Sequence, residues 1–396
     1  MKLQIITHAN PKSSMKRKIC VVITARPSYC RIKTVLSAIK DHYGLELQLV
    51  VTSSALVEQY GAAVNFIERD GFSVVARVEN LVKGENGVSA AQTIGLGLSE
   101  LSVIFDTLKP DVVVTVADRY ETAATALCAS VMQIPLAHIQ GGEVTGNIDE
   151  KMRHAVTKLA DLHFVSTVGA QKRVVRLGEA PEKVFKTGCP SIDIAAKVLL
   201  DPKLDFNPFE RNGLGAHSCT GPYLVVLQHP VTTEYGDSRQ QIDVTLEAVR
   251  RLHIPTFWFC PNPDFGSSGT TEGIEWFRKN HSSAPIRFSQ SLDPVDFLRL
   301  LKNAACLIGN SSVGIRECSF LGTPAVNIGS RQTGRERGKN VMDVNHNTTE
   351  IVDAIHRQLE NGHYQSEQIY GDGEAGVMIA NILATTELTS TKIISY

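Results

Sequence analysis

The segment Gly309–Glu317 has the composition of an anion site. It reads Gly-Asn-Ser-Ser-x-Gly-x-Arg-Glu, follows a predicted strand and is expected to open a helix. The hydroxyls of Ser311 and Ser312, with the unpaired N–H groups of a helix N-terminus, suit a phosphate, although the pattern also fits a plain N-cap serine. Arg26 and Arg331 follow other predicted strands, where a guanidinium either contacts phosphate or is simply solvated.

Side chains suited to proton transfer also follow predicted strands. His229 lies just past a buried strand in the second half of the chain, and Asp118, Glu143 and Asp149 lie near strand ends in the first half. A histidine in this context is often a satisfied core residue, and most such carboxylates cap helices. If they meet on one rim, they are candidates for general acid–base catalysis.

Motifs for common cofactors and metals are incomplete. Gly371-x-Gly373-x-x-Gly376 matches the dinucleotide fingerprint by letter but lacks the preceding strand–helix–strand unit. The run 334–339 is one residue short of a Walker A motif and lacks the following Ser or Thr. The eight cysteines never form a C-x-x-C pair, so we interpret them as reduced thiols of a cytoplasmic protein. We therefore predict no nicotinamide, Walker-type or zinc site.

The elements that must position these residues alternate between strand and helix. Apolar, β-branched runs without strict polar alternation are typical of a parallel sheet covered on both faces. The predicted strands are 19–24, 45–52, 74–78, 112–116, 136–139, 162–166, 223–228, 256–260, 286–288, 306–309 and 324–328. The predicted helices are 32–40, 88–108, 122–132, 150–159, 240–252, 271–281, 294–302, 313–321, 349–360 and 374–383. This alternation predicts an α/β fold with doubly wound sheets.

Proline and glycine punctuation between 197 and 222 divides the chain. We predict an N-terminal tail at 1–14, one Rossmann-like domain at 15–195 and a second at 196–369. Polar and glycine clusters follow three strands in each domain. Because ligands bind outside the carboxyl ends of parallel strands, we expect a site built from both domains.

Composition excludes several classes of partner. The 396 residues carry a net charge of -1, with 43% hydrophobic and 20% charged residues. A nucleic-acid-binding or membrane-surface protein would show a basic excess. No apolar run approaches the roughly 20 residues that span a bilayer. These values predict a soluble, ordered, multi-domain protein.

A series of spaced motifs between residues 18 and 383 carries a family resemblance. They are Gly142-Glu143-Val144-x-Gly146-x-Ile148-Asp149, Arg153-His154-Ala155-x-Thr157-Lys158-Leu159, Gly188-Cys189-Pro190-Ser191-x-Asp193, Leu227-Gln228-His229-Pro230-Val231-Thr232-Thr233, Pro261-Asn262-x-Asp264, the Gly309–Glu317 segment, Gly322-Thr323-Pro324, Arg331-Gln332-x-Gly334-Arg335-Glu336 and Ile369-Tyr370-Gly371-Asp372-Gly373. Together they resemble the hydrolysing UDP-N-acetylglucosamine 2-epimerases of sialic acid synthesis. The resemblance implies a GT-B fold whose C-terminal helix, here 370–390, crosses back onto the first domain. It also implies conversion of UDP-GlcNAc and water to UDP and N-acetylmannosamine by dimers or tetramers, without metal or redox cofactor.

The resemblance also implies roles for individual residues. Those expected to hold the UDP-sugar are Arg26, Gly188, His229, Asn262, Asp264, Ser311, Ser312, Glu317 and Arg331. Those expected to take part in the chemistry are Asp118, Gln140, Glu143, Asp149 and His229, with Asp118 and Asp149 as the carboxylates that face the sugar. Loss of UDP together with the C2 proton leaves a 2-acetamidoglucal, which then adds water. This needs a base near C2 and stabilisation of the departing diphosphate.

Three positions at the predicted catalytic rim depart from the family pattern. Ser28 stands where relatives have Asp, Ala117 where they have Gly, and Gln140 where they have Glu. Because an amide cannot accept a proton from carbon at neutral pH, we expect reduced or altered catalysis. The functions left open are hydrolysing epimerisation of UDP-GlcNAc, the same reaction on a UDP-diacetamido-trideoxy sugar of legionaminic acid synthesis, glycosyl transfer by a GT-B enzyme, and UDP-sugar binding with impaired catalysis.

Overall fold

A seven-stranded parallel sheet forms the centre of the N-terminal half. The computed structural model of the chain describes residues 16–84, 86–145, 148–204, 221–260, 267–289 and 292–394. The strands of this sheet are β1 (Arg17–Ile23), β2 (Leu45–Thr52), β3 (Val74–Val78), β4 (Val112–Val116), β5 (Leu136–Ile139), β6 (Leu162–Val165) and β7 (Val184–Lys186). Their order is β3-β2-β1-β4-β5-β6-β7. The order reverses between β1 and β4, as in a doubly wound sheet.

A six-stranded parallel sheet repeats this plan in the second half. Its strands are β8 (Leu224–Leu227), β9 (Thr256–Phe259), β10 (Ile286–Ser289), β11 (Cys306–Gly309), β12 (Ala325–Ile328) and β13 (Val341–Val344). Their order is β10-β9-β8-β11-β12-β13, with the reversal between β8 and β11. The predicted pair of doubly wound α/β units is therefore confirmed.

Helices cover both faces of each sheet. They are α1 (Arg26–Asp41), α2 (Ala63–Arg69), α3 (Gly87–Leu108), α4 (Thr122–Val131), α5 (Ile148–Leu159), α6 (Val168–Arg176), α7 (Pro190–Leu200), α8 (Ser238–Leu252), α9 (Ser267–Asn280), α10 (Pro294–Asn303), α11 (Glu317–Leu321), α12 (Thr348–Asn361) and α13 (Ala375–Thr385). Alternate residues of β1 pack on opposite faces of the sheet. Ile19, Val21 and Ile23 belong to one apolar cluster, and Cys20 and Val22 belong to another. The strands are apolar throughout because both faces are buried.

Most predicted helices begin one to six residues away from the predicted position, and two of these shifts affect the candidate site. Helix α1 begins at Arg26 instead of residue 32, because Pro27 fits the first turn, where no N–H bond is needed. The predicted helix 313–321 is a short 3₁₀ turn, Ser312–Gly314, followed by the one-turn α11. The anion-site segment therefore contributes a capped turn and not the first turn of a long helix.

The C-terminal helix α13 packs against α1 of the first domain. The Asp193 carboxylate on α7 accepts the N–H groups of Ala375 (2.9 Å) and Gly376 (2.7 Å), and so caps α13. Gly188 and Gly371 approach closely where the chain returns: a Cβ on Gly188 would lie 3.0 Å from the Cα of Gly371. The motif that contains Asp193 thus fastens the C-terminus to the N-terminal domain.

Helix α3 is long and apolar enough, by length and composition alone, to cross a membrane. This corrects the expectation that no such run exists. Its buried residues recur every fourth position, at Thr93, Gly97, Leu101 and Phe105. A Cβ on Gly97 would lie 3.2 Å from the Cβ of Ala124 on α4, so the two helices touch closely. We interpret α3 as a surface helix that is packed along the first domain.

Candidate active site

A cleft of about 180 Å³ lies between the two sheets and is lined by both domains. Six of the predicted substrate-binding residues line it: Arg26, His229, Ser311, Ser312, Glu317 and Arg331. They follow β1, β8, β11 and β12, whose carboxyl ends meet at the cleft. The topology therefore brings together side chains that are far apart in sequence, as expected at the switch points of such sheets.

The buried amide of Asn310 ties together the wall formed by the second domain. Its Oδ1 accepts the N–H of His229, and its Nδ2 donates to the His229 carbonyl, both at 2.8 Å. The Asn310 carbonyl accepts from Arg331 Nη1 (3.1 Å) and Gln332 Nε2 (2.8 Å). Because two other loops bond to Asn310, His229, Ser311 and Arg331 are held on one wall.

Glu143 is buried among arginines from both domains. Its Oε1 accepts from Ser166 Oγ (2.9 Å), while Oε2 lies 3.3 Å from Arg335 Nη2 and 3.9 Å from Arg316 Nη1. Burial by itself raises the pKa of the Glu143 carboxyl, but the charges of Arg335 and Arg316 hold it below its ordinary value. Glu143 is therefore ionised at neutral pH and acts as an acceptor.

Asp118 follows β4 and lies between two arginines. Arg153 on α5 donates from Nη2 to Asp118 Oδ2, and Arg31 Nη1 lies 3.7 Å from Oδ1. Arg153 also donates from Nη1 to the Glu143 carbonyl (2.8 Å) and to the Thr145 hydroxyl (3.2 Å). Burial lowers the pKa of Arg31 to about 10, which still leaves it protonated at neutral pH. Asp118 is thus held by arginines of two helices; it is not among the residues that line the cleft, but its partner Arg31 is.

Charged side chains near the cleft carry an excess of positive charge. Arg26, Arg31, Arg316, Arg331 and Glu317 line the cleft, and Arg153 and Arg335 pair with the neighbouring Asp118 and Glu143. Nε and Nη1 of Arg316 and Nη1 of Arg335 are buried and make no hydrogen bond within the described part of the chain. Buried donors that lack a hydrogen bond are costly, so an anion that accepts these bonds is favoured. The arrangement suits a diphosphate.

The side chain of Gln140 does not line the cleft and is connected to it through the side chains of Cys189 and Ser191. Its backbone has a φ of 68° and its N–H donates to the Phe164 carbonyl (2.8 Å). The side-chain Nε2 donates to Cys189 Sγ (2.9 Å), and that sulfur lies 2.9 Å from the hydroxyl of Ser191, which lines the cleft. The amide is therefore engaged in a buried chain of hydrogen bonds and is 2% exposed.

The remaining predicted residues occupy different places. Asp149 is half-buried in the first turn of α5. Gly188 does not line the cleft and packs against Gly371, where a Cβ would lie 3.0 Å from the Gly371 Cα. Asn262 and Asp264 lie outside the residues that the structure describes. Within the described residues, no group of three or more His, Cys, Asp or Glu side chains is arranged to hold a metal ion.

Sequence reasoning missed five residues of the site: Arg31, Arg153, Ser191, Arg316 and Arg335. Arg31 lies on α1 about one and a half turns after Arg26, so correct placement of the helix start would have pointed to it. The other four stand inside motifs that were recognised, but nothing local signals that they converge. Their roles depend on contacts between elements that are distant in sequence.

Known proteins resemble the chain over nearly its whole length. A family model described as UDP-N-acetylglucosamine 2-epimerase matches residues 37–384. A Legionella pneumophila protein named UDP-N,N'-diacetylbacillosamine 2-epimerase (hydrolyzing) is 31% identical over 376 residues, which cover 95% of this chain and 98% of that one. UDP-N-acetylglucosamine 2-epimerase of Neisseria meningitidis is 30% identical over 362 residues, or 91% and 92% of the two chains.

Structural comparison agrees with the sequence matches. The crystal structure of Methanocaldococcus jannaschii UDP-GlcNAc 2-epimerase in complex with UDP-GlcNAc and UDP aligns with a TM-score of 0.77 at 19% identity, covering 93% of this chain and 100% of that one. The predicted GT-B fold is thereby confirmed. From the family match and the two relatives, the chain belongs to the UDP-N-acetylglucosamine 2-epimerase family.

Proposed function

We propose that this chain is a hydrolysing 2-epimerase that converts UDP-GlcNAc and water to UDP and N-acetylmannosamine, in sialic acid-type sugar biosynthesis. The observation that carries the proposal is a cleft lined by arginines of both domains, two of which, Arg31 and Arg316, lie 3.7 Å and 3.9 Å from the buried carboxylates of Asp118 and Glu143 respectively. Positive charge suits the departing diphosphate, and fixed carboxylates suit proton transfer at carbon.

The reaction divides into an elimination and an addition. In the elimination, a base takes the C2 proton while the bond between C1 and the diphosphate oxygen breaks, so the electron pair leaves with UDP. The 2-acetamidoglucal that remains adds water, with hydroxyl at C1 and a proton at C2 on the opposite face. We assign the proton transfers to Asp118 and Asp149, and stabilisation of UDP to Arg316 and Arg331.

A UDP-diacetamido-trideoxy sugar is the second candidate substrate. The Legionella pneumophila relative, named for UDP-N,N'-diacetylbacillosamine, is 31% identical, and the Neisseria meningitidis relative, named for UDP-N-acetylglucosamine, is 30% identical. Similarity of this degree favours neither sugar. Both substrates share the 2-acetamido group, the C2 proton and the UDP leaving group, so the same residues serve either reaction.

Incubation with each UDP-sugar tests the proposal. We expect release of UDP together with a free 2-epimerised sugar, from UDP-GlcNAc or from the diacetamido substrate. Release of UDP only when an acceptor sugar is added would instead indicate a glycosyltransferase. Binding of UDP without turnover of either substrate would indicate a protein with lost catalysis. Either result would overturn the proposed hydrolysing epimerase.

We also propose that the chain forms a homo-oligomer through the outer face of α3. Exposed residues on this face are Val88, Gln92, Leu96, Ser99 and Val103, and the exposed acidic residues Glu100 and Asp106 lie one turn from Leu96 and Val103. An exposed apolar face marks a contact surface. A second copy offers the same apolar face, and self-matching of this kind closes a two-fold dimer.

A further inference from the structure

One face of α5 carries three polar side chains at four-residue intervals. Asp149, Arg153 and Thr157 recur with the period that places residues on the same side of a helix. Arg153 holds the carboxylate of Asp118, and Asp149 is a proposed catalytic group. Thr157 is fully buried and does not line the cleft. The proposed chemistry assigns no role to Thr157, although Thr157 lies on the same face of α5 as Asp149 and Arg153.

Thr157 is hydrogen-bonded to the buried ring of His138 on β5. Its Oγ1 lies 3.1 Å from His138 Nδ1, while His138 Nε2 lies 2.8 Å from the carbonyl oxygen of Ala117. A carbonyl only accepts, so Nε2 carries the proton and Nδ1 accepts from the Thr157 hydroxyl. Burial lowers the pKa of His138 to about 4, so the ring is neutral at neutral pH. A Cβ on Gly141 would lie 3.0 Å from Thr157 Oγ1, so glycine leaves room for this bond.

The Ala117 turn needs this support. Ala117 has a φ of 65°, a left-handed conformation that residues with a Cβ rarely adopt. Its N–H donates to the Ile139 carbonyl (2.9 Å), and its own carbonyl accepts from His138. Asp118 is the next residue along the chain. The direction in which Asp118 leaves β4 therefore depends on the bond that His138 makes.

We infer that Thr157 and His138 are positioning residues of the epimerisation, which hold the Ala117–Asp118 turn in place while Arg153 holds the Asp118 carboxylate. The inference rests on the proposed function, because it takes Asp118 as a reacting carboxylate. The link to Asp118 is the Ala117 carbonyl that His138 binds, one residue before Asp118, while Thr157 and His138 themselves do not line the cleft. Thr157 and Arg153, one turn apart on α5, thus fix the backbone and the side chain of Asp118 respectively.

Substitution of Thr157 tests the inference. Thr157→Val keeps the shape but removes the donor to His138, and we expect kcat to fall about 10- to 100-fold with KM and the UDP Kd unchanged. Thr157→Ser keeps the hydroxyl and should restore most of kcat. Thr125→Val is the matched control, since Thr125 is fully buried on α4 and its hydroxyl makes no hydrogen bond within the described residues. Full activity of Thr157→Val would overturn the inference.

A double-mutant cycle separates positioning from a general structural role. If Thr157 acts through Asp118, Thr157→Val should cause no further loss of kcat in an Asp118→Asn background. Independent, multiplied losses would contradict the inference.

Hydrogen exchange provides a readout without activity. If the parent turns over neither UDP-sugar, the proposed function fails, and exchange in a peptide spanning 115–120 then decides the inference. Faster exchange of this peptide in Thr157→Val, but not in Thr125→Val, would show that Thr157 stabilises the Ala117–Asp118 turn. Equal exchange in both variants overturns it.

Discussion

Two residues at the predicted catalytic rim, Ala117 and Gln140, adopt left-handed backbone conformations with φ of 65° and 68°. They directly follow the neighbouring strands β4 and β5, where the chain turns sharply into Asp118 and the Gln140–Thr145 loop. Neither alanine nor glutamine is a residue type that predicts such a turn. Comparison with the family pattern, which has glycine in place of Ala117, marked the first position but gave no reason for it. The structure supplies that reason, because glycine adopts this conformation without steric cost.

Relief of the strain at Ala117 should stabilise the protein. Glycine removes the steric cost of the left-handed conformation, but it also makes the unfolded chain more flexible, which favours unfolding. Because the first effect is larger, we expect Ala117→Gly to raise the free energy of unfolding by about 0.5–1 kcal/mol. Urea titration measures the change. Ala137→Gly, in the buried middle of β5, is the matched control and should lower stability. Loss of stability in both variants would show that the Ala117 turn is not strained.

A carboxylate at position 140 should accelerate the reaction. The amide of Gln140 cannot accept a proton, so we expect Gln140→Glu to raise the rate of UDP release at least tenfold. Gln140→Met removes the bond to Cys189 without adding a carboxylate and should not accelerate release. A fully active parent that Gln140→Glu does not improve would leave Asp118 and Asp149 as the working pair.

At the scale of elements, the loop after β12 crosses from the second domain to the first. Arg335 Nε donates to the Val144 carbonyl (2.8 Å). The Glu336 carboxylate accepts from the Thr167 hydroxyl and from the N–H of Gly169 (3.3 Å), at the N-terminus of α6. A carboxylate is favoured at this end of a helix by the dipole and the unpaired N–H groups. The same loop carries Arg331 at the cleft, so it connects the ligand wall to the other domain.

Gly169 allows this contact between domains. A Cβ there would lie 2.7–2.9 Å from the Glu336 carboxylate, so we expect Gly169→Ala to displace Glu336 and weaken closure around the substrate. Loss of about 1 kcal/mol corresponds to a roughly fivefold rise in KM for the UDP-sugar. Gly95→Ala on α3 is the control, because a Cβ there meets nothing within 4 Å. Equal KM values for the two variants would remove Glu336 from the closing contact.

Regular elements were predictable from sequence where apolar periodicity was strong. Strands β2, β3, β4, β5 and β11 have the predicted bounds, because buried parallel strands are continuous apolar runs. Helices α2, α6 and α7 and strands β7 and β13 were not predicted. They are short, and some are polar or follow proline, so their stability comes from tertiary contacts that no local pattern records. The ion pair between Arg335 and Glu143 could not be predicted from sequence for the same reason.

At the scale of the whole molecule, two sheets with the same winding bring their carboxyl ends to one cleft, and α13 returns to the first domain. This doubling was predictable, since both halves show the same alternation of strand and helix. The contacts that hold the halves together were not. Glu143, Arg316 and Arg335 form a buried ion-pair cluster only after both domains are in place. The formation of this cluster therefore depends on the relative position of the domains.

The outer face of α3 provides a test of self-association. We expect the parent to have a mass at least twice that of the 43.2 kDa chain in light scattering, and Leu96→Glu to be a monomer, because a charge would be buried in the interface. Val377→Glu on α13 is the matched control, since Val377 is similarly exposed (54% against 50%). A monomeric parent, or an unchanged oligomer in Leu96→Glu, would contradict the proposed interface.

Solvent deuterium labelling tests the hydrolysing mechanism most directly. The reaction is run in D₂O with UDP-GlcNAc and with the diacetamido substrate, and the products are examined by proton NMR. Elimination followed by addition of water predicts free UDP and a free 2-epimerised sugar that carries one deuterium at C2, because the C2 proton is lost and replaced from solvent. A product that keeps its C2 proton, or an epimer still linked to UDP, would contradict the proposed reaction.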